Sequence, residues 1–127
     1  MTASRTPAWW RRRRRGAADV ALVQRLAVAM SGKDSSGIRE LLSGEIVMIV
    51  DGGPDQASGE VVGRDAVASE LLAYPAEIDL ADINGAPGLV ARREGRVVAT
   101  VCASARRGLI EVVWSVRNPD KLRRWNR

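Results

Sequence analysis

The stretch that decides the fold runs from residue 76 to residue 117 and reads AEIDLADINGAPGLVARREGRVVATVCASARRGLIEVVWSVR. Apolar and polar residues alternate along it, and glycine-containing turns interrupt the alternation at short intervals. This combination is typical of an antiparallel meander. We predict turns at residues 84–88, 94–95 and 107–108, and four strands: Ile78–Asn84, Leu89–Arg93, Arg96–Ala105 and Leu109–Arg117.

The last of these strands predicts where the core lies. Ile110, Val112, Trp114 and Val116 alternate with more polar residues, so we expect them to share one face of the sheet. A face of that kind must be covered by apolar side chains. The preceding half of the chain is expected to provide the cover.

Residues before Pro75 predict three short helices and two strands. Apolar residues recur at helical spacing from residue 17 to residue 30, and Asp34 is a good N-cap for a second helix that Gly44 ends. The run Glu45–Asp51 is rich in β-branched residues, Ser58–Val62 is a weaker strand, and a third helix lies between Gly63 and Pro75. Helices followed by a mostly antiparallel sheet indicate the α+β class and exclude a parallel doubly wound fold.

The distribution of charge divides the chain into three parts. Residues 1–15 carry six arginines and no acid, residues 16–116 carry nine basic and fourteen acidic residues, and the last eleven carry five basic residues and one acid. The net charge of +5 therefore belongs to the ends, and the body is mildly acidic. We predict a disordered basic leader over 1–15, one domain over 16–122 and a basic tail over 123–127.

The leader contains two adjacent tryptophans, Trp9 and Trp10, followed by Arg11, Arg12, Arg13, Arg14 and Arg15. Such a segment binds nucleic acid by stacking and phosphate contact, lies at a lipid surface, or is a solvated tail whose tryptophans rest on the domain. We favour the solvated tail. Any nucleic-acid binding through these arginines is expected to be weak and non-specific.

Composition also excludes several classes of protein. Apolar runs such as Ile46–Val50 are far shorter than the ~20 residues of a membrane-spanning helix, and no secretory signal is evident, so we expect a cytoplasmic protein. Cys102 is the only cysteine and the chain has no histidine, which excludes an internal disulfide and the usual zinc sites. We predict neither a metal nor a cofactor.

Three segments, taken in order, carry a family resemblance. They are Asp51-Gly52-Gly53, the run NGAPGLV over 84–90, and the run NPDKL over 118–122; GRDAV over 63–67 adds to them. Together they resemble the SnoaL-like C-terminal domain of extracytoplasmic-function sigma factors, which has the NTF2-like fold. The resemblance covers residues 17–122 and implies a cone, with three N-terminal helices packed on a curved, mostly antiparallel sheet.

The resemblance also implies a regulatory partner. In the family this domain packs on the sigma regions, so a sigma factor or RNA polymerase component is the implied partner, contacted through Gly52, Gly53, Asn118, Pro119, Asp120, Lys121 and Leu122. This chain has Pro54 and Asp55 where the family motif continues with glycine and lysine, and only an arginine-rich leader precedes the domain. We therefore expect a stand-alone relative or an accessory domain. The alternative for the NPDKL run is a turn that ends a strand, with Leu122 fastening the tail to the body.

NTF2-like domains often enclose an apolar pocket, and enzymes of this fold place a carboxylate base in it. Asp51 is the candidate base because it ends an apolar strand next to two glycines, with Tyr74 and Asp82 as further acid–base groups and Met48, Leu71, Cys102 and Trp114 as pocket walls. The competing interpretation is that Asp51 closes its own turn and Trp114 is core. Our leading hypothesis is a non-catalytic domain that binds a small apolar ligand or a protein partner, and the alternative is a small isomerase or cyclase.

The strand over 96–105 predicts how the domain assembles. Val97, Ala99, Val101 and Ala103 alternate with Val98, Thr100, Cys102 and Ser104, so both faces are apolar or small. A sheet that is apolar on both sides needs a cover on both sides. We predict a homodimer through the outer face of the sheet.

Overall fold

The computed structural model describes residues 18–53 and 58–127. Within them lie three α-helices, six strands and a C-terminal 3₁₀ helix. The helices are α1 (Val20–Ser31), α2 (Ser35–Leu41) and α3 (Arg64–Leu72), and the 3₁₀ helix is Pro119–Asn126. The strands are β1 (Leu42–Asp51), β2 (Gly59–Val62), β3 (Glu77–Ile83), β4 (Ala86–Arg93), β5 (Arg96–Arg106) and β6 (Leu109–Val116).

Aspartate side chains begin the first two helices. Asp19 Oδ1 accepts a hydrogen bond from the backbone N–H of Leu22 at 2.9 Å, and Asp34 Oδ1 accepts one from Gly37 at 2.9 Å. Each bond satisfies an N–H that has no partner inside its helix. None of the described helices is long and apolar enough to cross a membrane.

The six strands form one sheet in the order β2-β1-β6-β5-β4-β3. All neighbouring pairs are antiparallel except β1 and β6, which are parallel. The three helices pack on one face of this curved sheet, and the predicted α+β arrangement is confirmed. Fully buried side chains of the helices meet those of the strands in the main core, among them Leu26, Met30, Ile38, Met48, Leu71 and Leu89.

The prediction that Ile110 shares one face of β6 with Val112, Trp114 and Val116 is wrong for Ile110. Ile110 is buried in the main core together with Val113, whereas Val116 packs on the opposite, outer face of the sheet. The pairing of β5 with β6 shifts register between Ser104 and Ala105. A bulge adds one residue to a strand and so reverses the alternation of its side chains beyond that point.

A second irregularity divides β5 in the same way. Ala91 is opposite Ala99, but Arg92 is opposite Val97, so Val98 is the extra residue. As a result Val97 packs on the outer face, while Ala99 lies in the main core. The simple alternation expected from residue 97 onward therefore holds only after the bulge.

The 3₁₀ helix lies against this outer face. Leu122 is buried with Val90 and Val97, and Val116 and Trp125 pack around them. The Asn126 side chain accepts from the backbone N–H of Val97 at 2.8 Å and donates to its carbonyl at 2.9 Å. Residues 123–126, which the sequence placed in a basic tail, are therefore part of the folded body. The leader with Arg11–Arg15 lies outside the described residues.

Candidate functional site

A cavity of about 440 Å³ lies at the end of the sheet where β6 stops and β5 begins. Its walls come from the end of α3, the β4–β5 turn, the end of β6 and the 3₁₀ helix. The apolar lining consists of Ala73, Pro75, Val97, Val98, Ala99, Pro119 and Leu122. The residues with polar groups are Glu70, Tyr74, Arg93, Arg96, Arg117, Arg123 and Asn126.

Arg117 is the centre of a hydrogen-bond network on one wall. Its Nη2 donates to Glu70 Oε1 at 2.8 Å, and its Nε donates to the Tyr74 hydroxyl at 3.0 Å. The guanidinium carbon also lies 4.8 Å from the centroid of the Tyr74 ring. The Tyr74 hydroxyl shares a further hydrogen bond with Ser115 Oγ on β6. The network therefore joins the end of α3 to the end of β6.

The environment fixes the charge of two members of this network. Burial raises the pKa of Tyr74, and the opposing effects of Ser115 and Arg117 are smaller. Burial by itself would lower the pKa of Arg117, but its hydrogen bond to Glu70 and its contacts with Tyr74 raise it above the usual value. At neutral pH the wall thus presents a neutral phenol and a guanidinium that is paired with a carboxylate. These groups bind polar atoms well, but none is a free base.

The raised pKa of Tyr74 can be measured directly, because this is the only tyrosine of the chain. We expect phenolate absorbance to develop at higher pH in the folded protein than in the urea-unfolded protein, whose tyrosine titrates near pH 10. Since the folded pKa is the higher one, this group stabilises the fold below about pH 10, and its contribution is lost as the pH rises through the folded pKa. Arg117→Met should move the titration higher still. Coincident folded and unfolded curves would contradict this account.

Asp51, the candidate base, does not line the cavity. Its Oδ1 accepts from the backbone N–H of Gly53 at 3.2 Å, and its Oδ2 accepts from Lys121 Nζ at 2.6 Å. Asp51 is opposite Val116 in the sheet, on the outer face. The hydrogen bond from Lys121 is the main reason why the pKa of Asp51 lies below its usual range. This geometry fits a residue that closes its own turn.

Asp51→Asn tests the ion pair with Lys121. The carboxylate is about one-third exposed, so we expect a loss of only about 0.5–1 kcal/mol of unfolding free energy near pH 7. Because the folded pKa is lowered, the stabilisation is present above the unfolded pKa near 4 and is lost as the pH falls through the folded value. Urea unfolding of the variant and the parent at several pH values should therefore converge in acid. A difference that persists unchanged at the lowest pH would exclude the ion pair as its cause.

The other predicted site residues are scattered. Asp82 is exposed near the end of β3, and its Oδ1 accepts from the N–H of Gly85 in the β3–β4 turn at 2.8 Å. Met48 and Leu71 belong to the main core, and Cys102 is opposite Trp114 on the outer face. Of the predicted acid–base and pocket residues, Tyr74 alone lines the cavity.

The sequence reasoning missed Glu70, Arg93, Arg96 and Arg117. One signal for Glu70 was available, because it precedes Tyr74 by four residues at the end of a predicted helix, a spacing that places two side chains on the same side. Arg117 directly follows the alternating pattern of β6, where we expected only a strand end. Among the described residues no group of three or more His, Cys, Asp or Glu side chains is arranged to hold a metal ion.

Two of the motifs that carry the family resemblance, Asp51-Gly52-Gly53 and the NPDKL run over 118–122, meet on the outer face of the sheet. We call Asp51, Gly53, Asn118 and Lys121 the clasp. Gly53 has φ of +79°, and a Cβ atom added to it would lie 2.8 Å from Cγ of Asn118. The Asn118 side chain in turn accepts from the N–H of Asp120 at 3.1 Å and so begins the 3₁₀ helix. The clasp therefore positions the helix that forms one wall of the cavity.

Comparison with family models and with curated protein sequences gives no match. Solved structures do match. The extracytoplasmic function sigma factor SigJ of Mycobacterium tuberculosis aligns with a TM-score of 0.64 and 23% identity, over 90% of this chain and 47% of the sigma factor. This chain thus spans about half the length of that protein.

Two further structures have the same architecture. A candidate ketosteroid isomerase of Kribbella flavida aligns with a TM-score of 0.57 and 16% identity, over 76% of this chain and 75% of its own. An NTF2-like protein of unknown function from Burkholderia xenovorans aligns with a TM-score of 0.60 and 12% identity, over 84% of this chain and 91% of its own. At these identities the likeness establishes architecture, and the chain has the NTF2-like fold, as the sequence motifs predicted.

Proposed function

We propose that this chain is a non-catalytic binding domain whose cavity takes a small molecule with a largely apolar body. The observation that carries the proposal is the cavity itself: about 440 Å³, within the range of small-molecule sites, with apolar residues making up half of its lining and residues with polar groups the other half. Tyr74 and Glu70 each accept a hydrogen bond from Arg117 on its wall, so these groups favour orientation of a ligand over proton abstraction.

The partner in this proposal is a sigma factor or an RNA polymerase component, and the role is regulation of transcription. SigJ, a sigma factor, shares the architecture, and the clasp brings together the two segments that are expected to make the contact. Leu122 lines the cavity, while the adjacent Lys121 and Asp120 are exposed. A bound ligand would touch the same short helix that presents the contact surface, which links the two roles.

The alternative is a small isomerase or cyclase that uses Asp51 as its base. Two solved structures of this architecture are named as isomerases, which is the reason to consider it. A general base must reach the substrate proton with a free carboxylate. The Asp51 carboxylate accepts hydrogen bonds from Lys121 and from Gly53 in its own turn, and it does not line the cavity. The geometry therefore favours the binding role.

The test uses N-phenyl-1-naphthylamine, a neutral apolar dye that fluoresces when it leaves water. We expect saturable binding to the parent chain. Ala73 is exposed but lines the cavity, so Ala73→Trp should fill the space without changing the core and should abolish binding. Ala66→Trp is the matched control, because Ala66 is exposed on α3 and absent from the lining. Equal binding by both variants would overturn the proposal.

We also propose that the chain forms a homodimer through the outer face of the sheet. Two apolar side chains of neighbouring strands, Ile49 and Val62, remain 37% and 66% exposed there. Sedimentation equilibrium at micromolar concentration should give about twice the chain mass of 13.7 kDa. A single species at the monomer mass would count against the dimer.

A further inference from the structure

Two arginines of the cavity face each other across a strand pair. Arg93 ends β4, Arg96 begins β5, and the two residues are directly opposite in the register. Like charges in directly opposite positions destabilise a sheet. Neither side chain forms an ion pair with the residues that the structure describes, and both line the cavity. Glu94, in the turn between them, is not part of the lining.

The remaining charges of the cavity do not cancel this pair. Four arginines and one acid line it, and the acid, Glu70, is already bonded to Arg117 at 2.8 Å. Arg123 is paired with Asp120, which lies outside the lining. The cavity thus combines apolar lining residues with an uncompensated positive charge from the exposed Arg93 and Arg96 at the β4–β5 turn.

We propose that the ligand of this cavity is an amphipathic organic acid, with an apolar body against Val98, Ala99 and Leu122 and an anionic group bound by Arg93 and Arg96. This inference rests on the proposed binding function and adds the chemical class of the ligand. Guanidinium groups bind carboxylate, sulfonate and phosphate oxygens through paired N–H donors. A bound anion would also relieve the repulsion between the two arginines, so the like-charge pair favours the anion over a neutral ligand.

The experiment compares two dyes that share an aromatic framework. 8-Anilinonaphthalene-1-sulfonate carries a sulfonate, and N-phenyl-1-naphthylamine does not. Arg93→Gln/Arg96→Gln should weaken binding of the sulfonate dye at least about fivefold, as expected for two exposed charge contacts, and leave the neutral dye within about twofold. The matched control is Arg106→Gln/Arg107→Gln, at the other end of β5 and in the turn that follows it, which should change the affinity for neither dye.

Thermal unfolding and the two dye titrations together separate a change in binding from a loss of the fold. The Arg93/Arg96 variant should unfold thermally at or above the parent temperature, because it loses a like-charge pair, so weaker dye binding would not reflect unfolding. Unchanged affinity for the sulfonate dye, or an equal loss for both dyes, would overturn the anion preference while leaving the binding function in place. If neither dye binds the parent chain, or if Ala73→Trp still binds both, the binding function fails and this inference fails with it.

Discussion

Gly53→Ala is expected to lower the free energy of unfolding by about 2–3 kcal/mol, because the substitution adds two costs. The backbone at Gly53 is left-handed, with φ of +79°, and a new Cβ atom would lie 2.8 Å from the Asn118 side chain. Asn118 must then move, and with it the hydrogen bond that begins the 3₁₀ helix. Urea unfolding followed by tryptophan fluorescence measures the change.

A second glycine separates the two costs. Gly108 has φ of +80°, but a Cβ atom there would meet nothing within 4 Å. Gly108→Ala therefore reports backbone strain alone, about 1–2 kcal/mol. Adding Asn118→Ala to Gly53→Ala should cost less than the sum of the two single effects, since the contact is then removed. Equal losses for Gly53→Ala and Gly108→Ala would show that the clasp is not closely packed.

Leu122→Ala is expected to destabilise the fold by about 2–4 kcal/mol, the usual range for emptying a buried leucine site. Leu122 is 3% exposed and packs with Val90 and Val97 beneath the 3₁₀ helix. It also lines the cavity, so binding of the neutral dye should weaken as the helix loosens. Thermal and urea unfolding give the stability change, and the dye titration gives the effect on binding.

The control for this variant is a leucine on the surface. Leu80 on β3 is 42% exposed, and Leu80→Ala should cost less than about 1 kcal/mol. If Leu122→Ala costs no more than Leu80→Ala, the 3₁₀ helix is not held on the sheet as described, and the cavity loses one of its walls.

The main lines of the fold could be predicted because they depend on local patterns. Alternation after Pro75, glycine turns such as Glu94-Gly95, and the Asp34 cap each specify an element within a few residues. The bulges could not be predicted in this way. Whether Ile110 faces the helices depends on how β5 and β6 pair, and a single extra residue reverses the face without altering the composition of the strand.

The site depended still more on tertiary contacts. Met48 on β1 and Leu71 on α3 have the apolar character of pocket walls, but both are fully buried in the core between the sheet and the helices. The cavity instead forms where the 3₁₀ helix docks, and that docking relies on the bonds between Asn126 and Val97, which are 29 residues apart in sequence. The turn interpretation of Asn118-Pro119-Asp120, with Leu122 fastening the end of the chain to the body, agrees with the contacts seen.

The most direct test of the proposed binding site is to map amide chemical shifts during titration with N-phenyl-1-naphthylamine. Progressive, saturable changes are expected at Ala73, Val98, Leu122 and Asn126, which line the cavity. Little change is expected at Ile49 on the uncovered part of the outer face. Changes concentrated at Ile49 and Trp114, or none at saturating dye, would contradict a ligand site at this end of the sheet.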